Sequence, residues 1–338
     1  MAAGRVGRLS QPAGSGHPLY GALDLGTNNC RLLIATPGAA GFEVVDAFSR
    51  IVRLGAGLSI SGRLSDHAMK RTIEALRVCA NKLTWHAVGR RRLVATEACR
   101  AALNGEEFLH RVREETGLEL EVIARETEAR LAATGAEPLI DTAAASALVF
   151  DIGGGSTELM WIRREGRALQ TMAWTSLSAG VVTMSERFGG IDVTQASYGA
   201  MREHLRPMVQ DFAHEVSSAT QGSGRPSHLL GTSGTVTTIA GVQLGLRRYD
   251  RSRVDGCWLE TPAIAEVTGK LLAMSHAERM NNPCIGVDRA DLVLAGCAIL
   301  EEVRDAFPSP RIRVADRGLR EGILTLLMKE DGIFGKAP

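Results

Sequence analysis

Six cysteines and eight histidines are scattered through the 338 residues without a Cys-x-x-Cys pair, a His-Glu-x-x-His string or a Cys/His alternation. That absence excludes a zinc site of recognisable spacing and a disulfide framework, and it implies a reduced, cytoplasmic protein. An excess of one charge is missing too. The 39 Lys and Arg against 38 Asp and Glu leave a formal charge of +1, which gives no global pull toward nucleic acid or an anionic membrane. Three local clusters remain, at Arg90 to Arg92, at Arg247, Arg248, Arg251 and Arg253, and at Arg311, Arg313, Arg317 and Arg320. Such runs are usually solvated faces. No stretch reaches about 18 uninterrupted apolar residues, so a membrane span is not expected. The first 18 residues, rich in Gly, Ala, Pro and Ser, lack the apolar core of a signal peptide and are expected to form a disordered tail.

What is present is ordinary in bulk and pointed in detail. With 45% hydrophobic and 23% charged residues, the chain has the composition of a globular protein of roughly two domains. Two acidic-glycine strings stand out, Asp24-Leu25-Gly26-Thr27-Asn28-Asn29 and Asp151-Ile152-Gly153-Gly154-Gly155-Ser156-Thr157. Each follows a short apolar run, so each reads as a strand delivering a carboxylate into a glycine-bearing turn. Backbone N–H groups can approach an anion closely there, and the Asp can hold a cation.

The surroundings of the two strings also match. After Asp24 come an expected strand at Arg31 to Thr36, a Pro37-Gly38 turn and a strand at Phe42 to Leu54. After Asp151 come Thr157 to Ile162, a polar turn at Arg163 to Gly166 and a strand at Ala168 to Leu177. The chain therefore reads as a duplicated β-β-β-α unit of α/β class. Between the copies, Met69, Ile73, Leu76, Ala80 and Leu83 predict a helix capped by Ser65-Asp66. Leu93 to Thr96 is an expected strand, Glu106 to Thr116 a helix, Leu118 to Ile123 a strand, and Glu126 to Ala133 a helix ending at Gly135. Glu137 to Ala145 is the expected linker. Further on, helices are expected near Val181 to Phe188 and at Gln195 to Val216. A strand at His228 to Leu230 leads into a third glycine-rich turn, Gly231 to Thr235. A helix through Leu292 and Val303, a strand at Ile312 to Ala315 and a closing helix at Leu319 to Met328 complete the chain.

With these pieces together, the sequence resembles a short member of the exopolyphosphatase and guanosine pentaphosphate phosphohydrolase family, within the actin, sugar kinase and Hsp70 superfamily. The resemblance runs from Ala22 to about Met328. It rests on Asp24 to Asn29, Ala95 to Arg100, Glu128 to Leu131, Asp151 to Leu159, Gly231 to Gly234, Arg289 to Asp291 and Gly318 to Gly322. It implies two ribonuclease-H-like domains, 19–140 and 141–338, with a cleft between them.

The same resemblance implies hydrolysis of the terminal phosphate of inorganic polyphosphate, with guanosine pentaphosphate hydrolysis or low-turnover binding of guanosine tetraphosphate as the alternatives. Glu128 would be the general base. Asp24, Asp151 and Glu158 would hold Mg²⁺, with Mn²⁺ as a substitute, since Mg²⁺ favours carboxylate, water and phosphate oxygens. Thr27, Asn28, Asn29, Gly153, Gly154, Gly155, Ser156 and Thr157 would donate to phosphate oxygens, with Arg31 and Arg100 as further phosphate ligands. Gly231, Ser233, Gly234 and Thr235 would bind the distal end of the chain or a nucleotide. Arg289 and Asp291 are expected to orient the domain junction. No nucleic-acid or membrane partner is expected, and a homodimer is left open.

Overall fold

The computed structural model describes residues 18–334 apart from 40, 167, 223 and 224; the expected N-terminal tail lies outside the described residues but for Pro18. In the first half, strands β1 (Tyr20–Leu25), β2 (Asn29–Gly38) and β3 (Gly41–Ile51) form an antiparallel meander. Then come α1 (Leu58–Ser61), α2 (Asp66–Trp85), β4 (Arg90–Ala95), α3 (Glu97–Ala101), α4 (Gly105–Thr116), β5 (Glu121–Val122) and α5 (Arg125–Ala136). The second half repeats the meander as β6 (Ser146–Ile152), β7 (Thr157–Glu165) and β8 (Ala168–Leu177). It continues through α6 (Val181–Phe188), α7 (Gln195–Ala219), β9 (His228–Thr232), α8 (Gly234–Gln243), α9 (Arg251–Val254) and β10 (Trp258–Glu260). It ends with α10 (Thr261–Ala273), α11 (His276–Asn281), α12 (Val293–Ala306), β11 (Arg311–Ala315) and α13 (Leu319–Glu330).

The sheets confirm the duplication. Their orders are β3-β2-β1-β4-β5 and β10-β11-β9-β6-β7-β8, so the second is the first with one further strand, β10, on its edge. In both, the strand carrying the aspartate pairs in parallel with the next strand across, β1 with β4 and β6 with β9. These are two ribonuclease-H-like halves facing each other across a cleft. The third strands begin at Gly41 and Ala168, 17 residues after Asp24 and 17 after Asp151 (41 − 24 and 168 − 151).

Local chemistry accounts for many of the boundaries. Ser65 caps α2 by accepting from the Ala68 N–H, and Gly117 ends α4 in the left-handed conformation that glycine adopts freely. Elsewhere tertiary contact decides. The reversal after β2 falls beyond Pro37-Gly38, because both residues still pair with β3. The strand expected at Leu118 to Ile123 shrinks to the two residues of β5, which pair only with the end of β4. Gly135 does not end α5; it lies within the helix, where a β-carbon would sit 1.9 Å from the Gly318 carbonyl oxygen.

That contact reflects an exchange of helices. Leu319, Ile323, Leu324, Leu327 and Met328 of α13 pack on Tyr20, Ala22, Leu33, Ala35 and Val94 of the first sheet. Ala129, Ala133 and Ala136 of α5 pack instead on Ala147, Val149, Met160 and Ile162 of the second. A division at residue 140 therefore separates the sheets but assigns each of these helices to the half opposite the one it covers. Among the described residues no helix is long and apolar enough to cross a membrane.

Candidate active site

Both aspartates occupy the penultimate position of their strands, and the turns after them close in the same way. Gly26 N–H donates to Asn29 O at 2.9 Å, and Gly153 N–H donates to Ser156 O at 2.9 Å. Across the meander Asp24 stands opposite Arg31, and Asp151 opposite Glu158. One duplicated position thus carries a cation in the first half and an anion in the second. The turns approach closely: a β-carbon on Gly154 would lie 3.0 Å from Thr27 Cβ, and one on Gly155 would lie 2.8 Å from Thr27 Oγ1. Glycine is required there because the partner is the opposite turn.

One cavity spans both turns. Its wall includes Asp24, Thr27, Asn28, Asn29, Arg31, Glu128, Asp151, Gly153, Gly154, Gly155, Ser156, Glu158, Ser233, Gly234 and Thr235, residues drawn from both halves. Three expected site residues lie outside this wall. Thr157 alternates away from Glu158 on β7 and is fully buried, donating through Oγ1 to Ala179 O at 2.7 Å. Gly231 sits within β9, where a β-carbon would meet the Phe150 ring at 2.5 Å; it serves strand packing. Arg100 stands behind the wall, donating to Glu97 and, at 3.1 Å, to Glu128 Oε2. Sequence reasoning missed Glu97, which lines the cavity with Thr96. It lies in the Ala95 to Arg100 stretch, but nothing in that stretch marks a cleft-facing carboxylate. Arg289, expected only at the domain junction, also lines the cavity, whereas Asp291 does bridge the halves by pairing with Arg53 at 2.9 Å.

Glu128 owes its place to α5 lying between two cores. Leu131 faces the first and Ala129 the second, so the Glu128 side chain is left at the cleft, 13% exposed. Burial, and next the charge of Glu158, push its carboxyl well above the usual carboxylate range, with Arg100 opposing. Glu158 is raised by burial and by Asp151, against the hydroxyls of Ser156 and Ser176, which donate to its Oε1 at 2.7 and 2.8 Å. Asp24 and Asp151 are raised by burial as well, with Arg31 opposing in both. Glu97 behaves oppositely: burial would raise it, but Arg125 and Arg100 hold it below the ordinary range. The cleft thus separates one fully paired carboxylate from a set whose counter-charge is outweighed by burial.

These are hard oxygen donors, and Asn28 Oδ1 adds a buried oxygen without a hydrogen-bond partner. Among the described residues no three Asp, Glu, His or Cys side chains form a group that could hold a metal by themselves. An ion held here would have to take most of its ligands from water and phosphate, as Mg²⁺ usually does. At the third turn Ser233 has φ 113, a region disfavoured without glycine, and its Oγ is buried without a partner. It precedes the N-terminus of α8, and the Arg289 guanidinium lies about 3.5 Å from where a Gly234 β-carbon would be.

The sequence profile of the Ppx/GppA phosphatase family matches residues 33–331. The chain belongs to the Ppx/GppA phosphatase family. Exopolyphosphatase 2 of Mycobacterium tuberculosis is 30% identical over a 320-position alignment that covers 89% of this chain and 96% of that protein. Among solved structures, an exopolyphosphatase from Cytophaga hutchinsonii superposes with a TM-score of 0.82 at 25% identity, covering 93% of this chain and 98% of that one. The Aquifex aeolicus family member gives 0.76 at 28% identity, with 93% and 98% covered. The Ppx/GppA profile begins after the Asp24 turn and includes Glu128, Asp151 and Arg289, so most of the cavity wall lies inside the matched region.

Proposed function

We propose that this Ppx/GppA member is an exopolyphosphatase that releases orthophosphate from the end of inorganic polyphosphate. The observation that carries the reading is Glu128: a carboxylate with a raised pKa at the wall of a cleft whose two sides are duplicated phosphate turns. A base of that kind is matched to work near neutrality. The names of the mycobacterial and Cytophaga relatives point to the same substrate class.

In this reading the terminal phosphate rests against the Gly26 to Asn29 and Gly153 to Ser156 turns, where the N–H groups of Thr27, Asn28, Gly154 and Gly155 and the Thr27 hydroxyl donate to its oxygens. Water attacks the terminal phosphorus while Glu128 takes its proton. A P–O bond to the water oxygen forms, and the bond to the bridging oxygen breaks. The shortened chain departs with that oxygen and its electron pair. Asp24, Asp151 and Glu158 would hold Mg²⁺, which supplies positive charge to the phosphate oxygens. Arg100 restrains the Glu128 carboxylate through Oε2, and each well-placed donor to a developing oxyanion is worth about 3 kcal/mol.

The test is phosphate release with Mg²⁺ from long polyphosphate, tripolyphosphate and guanosine pentaphosphate on one preparation. Polyphosphate is expected to be the better substrate, and Glu128→Gln should lower kcat by about 10²- to 10⁴-fold while binding persists. Preference for guanosine pentaphosphate would move the substrate, and no release alongside tight guanosine tetraphosphate binding would make the protein a sensor.

A further inference from the structure

The two phosphate turns sit on different halves, so their spacing depends on what ties the halves together. Residues 52–59 hang on the first turn. Val52 and Arg53 N–H donate to Asn28 O at 2.8 and 3.0 Å, and Gly55 N–H donates to Thr27 O at 2.9 Å. On the other side α6 hangs on the second turn, with Val181 and Val182 N–H donating to Gly153 O and Gly154 O at 2.9 and 2.8 Å.

These two mounted segments grip each other. The Arg53 guanidinium donates through Nη1 and Nη2 to both Asp291 oxygens at 2.9 and 3.1 Å, and through Nη2 to Asp288 O at 3.3 Å. Glu186 of α6 accepts from the Gly57 N–H at 2.7 Å and from the Ser59 hydroxyl. Ser185 Oγ donates to Asp291 O at 2.7 Å, closing the circuit. The segment clasped by Arg53, from Asp288 to Asp291, is the one that presents Arg289 to the cavity.

Arg53 also holds a backbone conformation that a non-glycine residue avoids, with φ 46. Arg71 braces it by donating to Val52 O at 2.6 Å and Arg53 O at 3.3 Å. The Arg53–Asp291 pair is 39% and 23% exposed, and partly exposed pairs typically contribute little to stability. A left-handed backbone at a residue whose ion pair adds little stability is accounted for by the placement it achieves: a bridge from the first turn's segment to Asp288–Asp291.

We infer that Arg53 and Glu186 form a clamp across the cleft that sets the spacing of the two phosphate turns and holds Arg289 over the bound phosphate chain. They are positioning residues: neither lines the cavity. The inference rests on the phosphohydrolase reading for its kinetic consequence, and its geometric consequence can be read without turnover.

Three variants, Arg53→Met, Arg53→Lys and Glu186→Gln, are compared with wild type by phosphate release, by calorimetric titration with tripolyphosphate, by small-angle scattering and by thermal melting. Arg53→Met and Glu186→Gln should each lower kcat/KM about 10-fold, weaken tripolyphosphate binding and enlarge the radius of gyration, with the melting temperature little changed. Arg53→Lys should recover part of the loss, because one ammonium replaces a two-pronged guanidinium. Unchanged binding and radius would overturn the clamp, and so would losses that merely track a fall in melting temperature. Should Arg53→Met fail to fold, the volume-conserving Glu186→Gln decides. If wild type releases no phosphate, the hydrolase reading falls, and tripolyphosphate affinity and radius still judge the clamp.

Discussion

The carboxylates of the cleft are set by what surrounds them more than by what they are. Glu97 and Glu128 both meet Arg100, yet Glu97 has Arg125 as well and stays ionised, whereas Glu128 faces Glu158. A base must be deprotonated, so kcat should rise with pH through a value above the ordinary carboxylate range. In the metal-free protein Glu158→Gln removes a like charge and should lower the pKa of the Glu128 carboxyl, a shift that an infrared or NMR titration of the carboxyl groups reads. Stability runs the other way. Asp24, Glu128, Asp151 and Glu158 all bind their protons more tightly folded than unfolded. Their contribution is complete below the unfolded values, about 4, and is lost as pH rises through the folded ones. Melting temperature in the absence of ligand should therefore fall across that window, and less so in Glu158→Gln. A flat profile for both would mean that the four groups are not desolvated.

At the scale of elements, the crossing of α5 and α13 decides where Glu128 stands. A β-carbon at Gly135 would lie 1.9 Å from Gly318 O, and one at Gly322 would lie 2.0 Å from Leu131 O. Inside an exposed helix, glycine to alanine gains roughly 1 kcal/mol. Here the added carbon meets backbone, which cannot yield as a flexible side chain does, so Gly135→Ala should destabilise by about 1–3 kcal/mol. It should also lower kcat, because α5 carries Glu128. Thermal melting with kinetics checks the sign, and stabilisation would show that the helices have room to spare. Parts of the first and third basic clusters are accounted for at this scale as well. Arg90 and Arg92 pair with carboxylates, Arg317 pairs with Asp255, and Arg311 and Arg313 stack on Trp258.

For the whole molecule, the exchange of helices makes neither half independent. The five apolar side chains that α13 buries on the first sheet, at about 1.5–3 kcal/mol each, amount to as much as the entire stability of a typical protein, roughly 5–15 kcal/mol. A chain ending at Gly318 should lose cooperative unfolding in a denaturant melt, and residues 19–140 alone should not fold. A sharp transition in either would show that the halves stand without the exchange.

Local pattern was enough for the meanders, the duplicated turns, the α2 and α4 helices and the aspartates, because strand alternation, glycine turns and caps act over a few residues. The same locality explains the errors. Gly135 looks like a helix end until α13 is packed against it, and Thr157 looks like a phosphate donor until the alternation of β7 turns it away. Gly231 looks like part of a turn until Phe150 fills the space beside it. Sequence alone determined that there are two acidic-glycine turns after matching strands and, through family resemblance, which glutamate to watch. Tertiary structure decided that Glu128 stands between them with too little counter-charge, that Arg289 joins them, and that Arg53 and Glu186 tie the halves. Burial and charge proximity depend on residues far apart in the chain, and only folding brings those together.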